Sequence, residues 1–437
     1  MNDIYFSHPR TELLDLIPLS SRRILDIGCG SGVLGKSIKE RQPCVYIGIE
    51  LNKNASDDAR KHLDFVYHAD VEDFDFDDIT GDFDCIILAD ILEHLIDPWT
   101  VLRDLYRLLS PGGIIVCSLP NICHSSTYFE ISRGLFRYQS AGIRDITHLR
   151  FFSQVTAFQM FVSSGFKVKL FRSFPSVTDP VQFHLIAKKT DHDPLNDQLT
   201  IVIPVFNCVQ FTSLCINSII QGCHIPHHIV VLDNHSTDET LSYLRSQDNV
   251  FHIECPINTG FPTGVNIGLE TVNTPYFSIC NNDIIIPDRA LDRLLLSIDE
   301  LDDVVGIGPR GNNISGPQND PNIKFMNHDD LRIHSEKIFS TNGNDLISIS
   351  RLVFFCVVFR SVVLDSVGFL DEFFGMGNFD DDDYCLRVMK SNHKLVYHNG
   401  VFVFHFGSIT FRTNNIDYKS IFEHNRQLFL KKHNLSS

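Results

Sequence analysis

Residues 24–32 read Ile24-Leu25-Asp26-Ile27-Gly28-Cys29-Gly30-Ser31-Gly32, and residues 199–207 read Leu199-Thr200-Ile201-Val202-Ile203-Pro204-Val205-Phe206-Asn207. Each is an apolar run of strand length that ends in a loop of turn-forming or polar residues. Outward from the first, apolar runs at 23–27, 45–49, 65–68, 85–89 and 114–119 alternate with helical stretches. One of these, 99–109, sets Leu102, Leu105, Leu108 and Leu109 on one face and stops at Ser110-Pro111-Gly112-Gly113. Outward from the second, runs at 200–203, 228–232, 250–254 and 276–280 repeat the alternation. Such a pattern predicts an α/β fold in each half, with a mostly parallel sheet covered on both faces. The longest apolar run, 352–359, has the length of a buried strand. Around Asp191-His192-Asp193-Pro194-Leu195-Asn196-Asp197-Gln198 the alternation breaks, which places one domain at 1–190, a linker at 191–198 and a second domain at 199–437.

Bulk properties narrow the function. The chain has 437 residues, 43% of them hydrophobic and 21% charged, as in ordinary folded proteins. No apolar run approaches the ~20 residues of a membrane span, and Met1-Asn2-Asp3 does not begin a signal peptide, so a cytoplasmic protein is expected. Its twelve cysteines form no Cys-x-x-Cys pair, and they read as small buried hydrophobes in a reducing compartment. A formal charge of −17 argues against nucleic acid as a partner. It also requires a local attraction, such as a divalent cation, for any anionic substrate.

The turn Gly28-Cys29-Gly30-Ser31-Gly32 lets a ligand approach the backbone closely, and Gly30 to Gly35 satisfies the dinucleotide pattern G-x-G-x-x-G. Three carboxylates argue for a different ligand. Asp26 lies in the strand end, where a pyrophosphate would be repelled and a cationic amino-acid group welcomed. Glu50 ends the second strand, placed for two ribose hydroxyls, and Asp70 ends the third, placed for an adenine amine. A sulfonium nucleoside satisfies the three better than NAD does, which counts against a nicotinamide-linked oxidoreductase. Residues 22–119 resemble class I S-adenosylmethionine-dependent methyltransferases through Leu25–Gly32, Glu50, Phe83–Asp90, Leu92-Glu93-His94-Leu95 and Leu109–Gly113. The resemblance implies a Rossmann-like domain binding S-adenosylmethionine through Asp26, Gly28, Gly30, Gly32, Glu50, Asp70 and Asp90. The stretch with Tyr138, Gly142, Asp145 and Thr147 to Ser153 resembles methyltransferases of bacterial surface-polysaccharide assembly, which would place Tyr138, His148 and Arg150 near the acceptor. His94 and His148 are the candidate bases for a hydroxyl acceptor.

In the second half, Pro204, Phe206 and Asn207 follow one strand and Asp233 ends the next, at the carboxyl edge where parallel sheets bind ligands. Asp233 could meet a nucleobase. The loop Asn258-Thr259-Gly260 to Asn266 offers amides and glycines to phosphate or ribose. Asn281-Asn282-Asp283 follows a strand directly, where one carboxylate plus diphosphate oxygens can hold Mg²⁺ or Mn²⁺. His405 could be a second ligand of that cation. Residues 199–410 resemble family-2 glycosyltransferases of the GT-A fold, rhamnosyltransferase-like members included. The resemblance implies Asp233 on the nucleobase, Asp283 and His405 on the metal, and Asp381 as base in an inverting transfer. Asn281-Asn282-Asp283 stands where that family has Asp-x-Asp, and Asp380-Asp381 where it has Glu-Asp, which leaves open the carboxylate among Asp380–Asp383 that acts. The expected protein is a bifunctional enzyme of surface-polysaccharide assembly. It would take a nucleotide sugar and a glycan or lipid-linked glycan acceptor, with peripheral association at the inner membrane face if the acceptor is lipid-linked. The alternative is a glycosyltransferase carrying a non-catalytic S-adenosylmethionine-binding or scaffolding module.

Overall fold

The computed structural model describes residues 8–79, 82–174, 181–189, 196–247, 249–255, 257–321, 323, 328–407, 409–414 and 417–435. The chain divides into two compact units, Met1–Asn196 and Asp197–Ser437. Residues 191–195 of the expected linker lie outside the described residues.

The first unit is built on β1 (Arg23–Ile27), β2 (Val45–Glu50), β3 (Phe65–His68), β4 (Phe83–Ala89), β5 (Leu109–Pro120), β6 (Lys167–Phe174) and β7 (Gln182–Lys188). They form one sheet in the order β3-β2-β1-β4-β5-β7-β6. The five strands expected from the sequence run parallel. An antiparallel hairpin, β6 with β7, extends the far edge. The crossover helices start where the chain allows a turn. Gly32 caps Val33–Arg41 with φ +78°, and a side chain there would meet the Ala59 Cα at 3.1 Å. Asp97 caps Pro98–Leu108 through the Thr100 amide, with proline in the first turn. Because β1 neighbours both β2 and β4, chain order reverses between β1 and β4. The carboxyl ends of these two strands border the crevice where such sheets take ligands.

The second unit repeats this plan and then departs from it. Strands β8 (Leu199–Val205), β9 (His227–Asp233), β10 (Val250–Glu254) and β11 (Tyr276–Cys280) are parallel in the order β10-β9-β8-β11. Beyond β11 the sheet becomes mixed. β15 (Cys356–Arg360) is antiparallel to β11 and to β13 (Val304–Gly311), which pairs in parallel with β16 (Lys394–His405), and β16 is in turn antiparallel to β12 (Ile284–Ile285) and β14 (Leu346–Ile349). Alternate residues of the same strands feed two separate cores. Ile201 and Ile203 of β8 join Ile216, Ile219 and Leu294 on one face, while Val202 joins Val265, Tyr384 and Val388 on the other. Helices therefore cover both faces, as the continuous apolar runs require. The run 352–359 is strand only from Cys356. Ahead of it, side chains take the place of a ladder, with the Leu352 amide on Cys385 Sγ and the Val353 amide on Gln318 Oε1.

The acidic helix Asp380–Lys390 is anchored from the carboxyl terminus. Buried Asp383 accepts from Arg387 Nε at 2.8 Å, Lys432 Nζ at 2.5 Å and His433 Nε2 at 2.8 Å. Asn425, on the same helix Tyr418–His433, donates to the carbonyls of Phe374 and Gly377 and fixes the approach to the acidic helix. Burial works against the Asp383 charge, but Lys432, Arg387 and His433 together hold its carboxyl below the usual carboxylate value. That contribution is complete above the unfolded-state carboxylate value and is lost as pH falls through the lowered one. Asp383→Ala is expected to cost about 2–3 kcal/mol, because Arg387, Lys432 and His433 lose the buried acceptor they share. Denaturant unfolding should show the deficit near neutral pH and a smaller one on acidification.

Candidate active sites

Each unit opens a cavity at the switch point of its own sheet. In the first unit it has a volume of about 640 Å³ and is lined by Asp26, Gly28, Gly30, Glu50, Asp70, Asp90 and His94 among others. Backbone geometry brings these together. The amides of Gly28 and Cys29 both reach the Ile49 carbonyl, so the loop after β1 lies against the end of β2. Gly28 and Gly30 sit at φ +72° and +53°, conformations that favour glycine. Glu50 accepts from the Gly30 amide at 2.9 Å and the Asn52 amide at 2.7 Å, which leaves lone pairs on both oxygens for hydroxyl donors. Gly32 is not in the lining; its role is the helix cap and the contact with Ala59.

Asp26 is 2% exposed and accepts from the Tyr46 hydroxyl at 2.8 Å. Burial pushes its carboxyl up to about 7; the Tyr46 hydrogen bond lowers it and nearby Glu50 raises it. Burial likewise raises Glu50, against the pull of its two amides. The pocket thus holds carboxyl groups short of positive charge. Asp90 differs: it pairs with Arg10 and accepts from Ser118 Oγ at 2.7 Å and Gln182 Nε2 at 2.8 Å. Its φ of +52° is uncommon for a non-glycine residue and marks the turn out of β4 as constrained. Asp70 accepts from the Glu72 amide at 3.0 Å.

His94 reaches this cavity and His148 stands edge-on to it, ring centroids 4.8 Å apart. The backbone sets that pairing, since the amides of Leu149 and Arg150 both donate to the Glu93 carbonyl. Burial, followed by His148, lowers the pKa of His94 and favours the neutral imidazole. Tyr138 and Arg150, expected near the acceptor, do not line the cavity. Tyr138 is exposed and packs on Phe136. Arg150 donates to the Ile96 carbonyl and lies over the Trp99 ring.

The second unit's cavity has a volume of about 630 Å³. Pro204 near the end of β8 and Phe206 just past it, Asn258 and Gly260, Asn282 and Asp283 after β11, Asp381 and His405 all line it. Asp283 Oδ1 lies 3.1 Å from His405 Nε2, and its other oxygen accepts from the Ile409 amide. Burial opposes its ionisation, but His405 holds Asp283 below the usual carboxylate value. Asn282 donates to Thr212 Oγ1 and is buried. Gly260, at φ +84°, passes so close to the Gly375 carbonyl that a Cβ would stand 2.1 Å from it.

Opposite the β11 end stand Asp380, Asp381 and Asp382. Arg351 donates to Asp381 Oδ2 at 3.3 Å and lies 2.8 Å from Asp382 Oδ1. Burial, reinforced by Asp381, pushes Asp380 well above the usual carboxylate value and Asp382 up to about 7. The preceding residues Asn378 and Phe379 both take φ above +60°, a costly geometry of the kind that collects at functional sites.

Three expected donor-binding residues are absent from this lining. Asn207 is occupied as a loop staple, accepting from the Thr237 amide and donating to Asn414. Asn266 accepts from the Leu370 amide and donates to its carbonyl and to Glu372. Asp233 is buried and accepts from the Ser236 amide; burial raises its pKa. Polar side chains beside a loop serve the loop's own amides first, and residue type alone does not separate that use from ligand binding. Sequence reasoning in turn missed Arg351, Arg10, Tyr46 and Asn234. Asn234 clamps the 258–260 loop through the Thr259 amide and the Gly260 carbonyl. Arg351, a lone cation just ahead of a long apolar run, was the most findable.

Comparison with known proteins gives a family to each unit. The family model described as methyltransferase domain matches residues 5–169, and that described as glycosyl transferase family 2 matches residues 200–368. A ubiquinone biosynthesis O-methyltransferase of Aromatoleum aromaticum is 36% identical over 110 residues, 24% of this chain and 46% of that protein. The Pseudomonas aeruginosa PAO1 protein of the same name is 32% identical over 108 residues. The chain thus spans about half the length of the curated relatives it matches. Among solved structures, an S-adenosylmethionine dependent methyltransferase from Mesorhizobium loti has a TM-score of 0.32 at 18% identity, covering 40% of this chain and 95% of that one. A mannosyltransferase from Pyrobaculum calidifontis, solved with GDP-Man and Mn²⁺, has a TM-score of 0.35 at 15% identity, covering 48% and 56%. The chain carries two enzyme domains in series, a methyltransferase domain followed by a family 2 glycosyltransferase domain.

Proposed function

We propose that the chain is a bifunctional enzyme of glycan assembly. Its first unit would transfer methyl from S-adenosylmethionine to a sugar hydroxyl, and its second would transfer a sugar from a nucleotide donor with inversion. The observation that carries this reading is that each cavity gathers, at a switch point, the residue types its reaction needs. In the first unit, buried Asp26 and Glu50 at the ends of neighbouring strands and half-buried Asp70, two residues past the third, stand around the glycine turn. S-adenosylmethionine, when bound, supplies an electrophilic methyl on a sulfonium. Asp26 would hold its cationic end, Glu50 its ribose hydroxyls and Asp70 its adenine amine. His94 and His148 act on the proton of the acceptor hydroxyl. Much of the remaining catalysis is alignment of the two reactants.

In the second unit the donor set fits a divalent cation. Asp283 is a buried carboxylate facing the cavity, and His405 Nδ1 is buried without a hydrogen-bond partner. Asp283 and His405 would hold the ion, which supplies charge neutralisation for a departing diphosphate. Asp381 takes the proton of the acceptor hydroxyl as that oxygen attacks the anomeric carbon. Arg351 holds Asp381 and Asp382 and limits their mutual repulsion. Among the described residues no helix is long and apolar enough to cross a membrane. A lipid-linked acceptor would therefore be met by peripheral association. The methyl acceptor is taken to be the glycan that the second unit extends. Methylation of a small metabolite with that glycan untouched would count against the shared substrate.

Two experiments test the two halves separately. Asp26 raised to about 7 gives a cationic ligand less to bind at low pH. Calorimetric affinity for S-adenosylmethionine should rise as pH climbs through about 7, and Asp26→Asn should bind at least 10-fold more weakly with the pH dependence flattened. An affinity indifferent to pH and to that substitution removes Asp26 from the site. In the second unit, Asp381→Asn should lower the rate of nucleoside diphosphate release by about 10²–10⁴-fold, with donor binding retained in the presence of Mn²⁺. Asp283→Asn should instead weaken donor binding and the response to added Mn²⁺.

A further inference from the structure

Beside the first unit's cavity three side chains with metal-ligand atoms gather. One ligand-type atom from each of Glu93, His94 and His148 lies within 4.8 Å of the other two. Glu93 is 1% exposed, and neither carboxylate oxygen has a hydrogen-bond partner. An unpartnered buried carboxylate costs several kcal/mol if ionised, so the fold keeps Glu93 there against a penalty. His94 Nδ1 faces the Thr147 carbonyl at 3.2 Å, and His148 Nδ1 faces the Ile143 carbonyl at 3.0 Å. A proton on each Nδ1 makes Nε2 the ligand atom and orients the ring. Backbone carbonyls do this for metal-bound histidines in general. The amides of Leu149 and Arg150 on the Glu93 carbonyl lock His148 to the turn that carries the other two residues.

We propose that Glu93, His94 and His148 form a binding site for a divalent transition-metal ion whose open positions face the cavity past His94. Two imidazoles and one carboxylate suit Mn²⁺, Fe²⁺, Co²⁺ or Zn²⁺ better than Ca²⁺ or Mg²⁺. Ligand atoms about 2.1 Å from one ion stand roughly 3–3.5 Å apart, so the set must draw in by roughly 1.5 Å, which side-chain rotation can supply. The inference rests on the methyl-transfer reading and deepens it. An acceptor hydroxyl oxygen binds the ion and releases its proton to water. That oxygen then forms the C–O bond to the methyl carbon as the C–S bond breaks and its electron pair returns to sulfur. The two histidines act on the acceptor's proton through the ion they hold. The acceptor class that fits is one with adjacent hydroxyls, such as a sugar diol, which can fill two open positions.

The test uses the full chain carrying Asp283→Asn, so that the second unit's cavity does not compete, stripped with chelator and titrated with Co²⁺. We expect one equivalent to bind with the visible absorption of Co²⁺ bound to nitrogen and oxygen ligands. Glu93→Gln and His148→Asn should each weaken it at least 10-fold, in line with the loss of a metal ligand, while the thermal midpoint shows that both variants fold. No visible absorption overturns the site, and so does absorption unchanged in both folded variants. Calorimetry with S-adenosylmethionine on the same samples separates the two readings. A chain that binds Co²⁺ at these residues but not the nucleoside loses the methyl-transfer reading and keeps the metal site.

Discussion

A carboxylate at the end of a buried parallel strand has given up its water before it has gained a partner, and both units are organised around that constraint. In the first unit Asp26 is buried with one hydroxyl for company, and its carboxyl is pushed up to about 7. In the second, Asp283 is buried to a similar degree, yet His405 holds it below the usual value. Two buried carboxylates at the carboxyl edge of similar sheets therefore meet opposite electrostatic outcomes, decided by whether a histidine such as His405 stands beside them. The first arrangement favours an incoming positive ligand. The second has a histidine in place, which a metal can take over as a fellow ligand.

On the proposed reading the second cavity also has to admit an anionic donor into a chain of formal charge −17. Asp380, Asp381 and Asp382 line it, and without compensation they would repel a diphosphate. The fold answers in two ways that do not depend on a bound ion. Arg351 contacts both Asp381 and Asp382, and burial pushes Asp380 well above the usual carboxylate value and Asp382 up to about 7. Asp383 is withdrawn from the cavity altogether into contact with Arg387, Lys432 and His433. Four consecutive aspartates thus do three different jobs. The helical geometry explains this: successive residues point about 100° apart, so a run of one residue type is distributed over the cavity, Arg351 and the carboxyl-terminal helix.

What could be read from the chain divides along the same physical line. The parallel strands were legible because burial on both faces writes continuous apolar runs, and Val45, Phe65, Val250 and Tyr276 each begin a strand as expected. The strand-end residues Asp26 and Glu50, and Asp283 just past β11, were legible as lining because a strand end in such a sheet has one place to go. The antiparallel extensions were not, since pairing partners such as β15 and β11 lie far apart in sequence. Nor was the division of labour among polar loop residues. Asn207 and Asn266 look like ligand-binding asparagines on paper, but loop amides and carbonyls claim them. Glu93 stood inside a quoted segment without a role, because its significance lies in the missing hydrogen-bond partner, which only three dimensions reveal.

Glu93 also bears on why His94, in the lining of the first cavity, and His148 behind it need not be read as a simple acid–base pair. A base dyad is best served by a carboxylate that accepts the Nδ1 proton of the working imidazole. Here backbone carbonyls of Thr147 and Ile143 occupy that position, and the nearby buried carboxylate of Glu93 lacks a hydrogen-bond partner. A group that neither orients a histidine nor meets a donor is left with the cost of its own burial. A cation shared with both imidazoles removes that cost and, by placing positive charge beside the cavity, would also lower the energy of an oxyanion formed there.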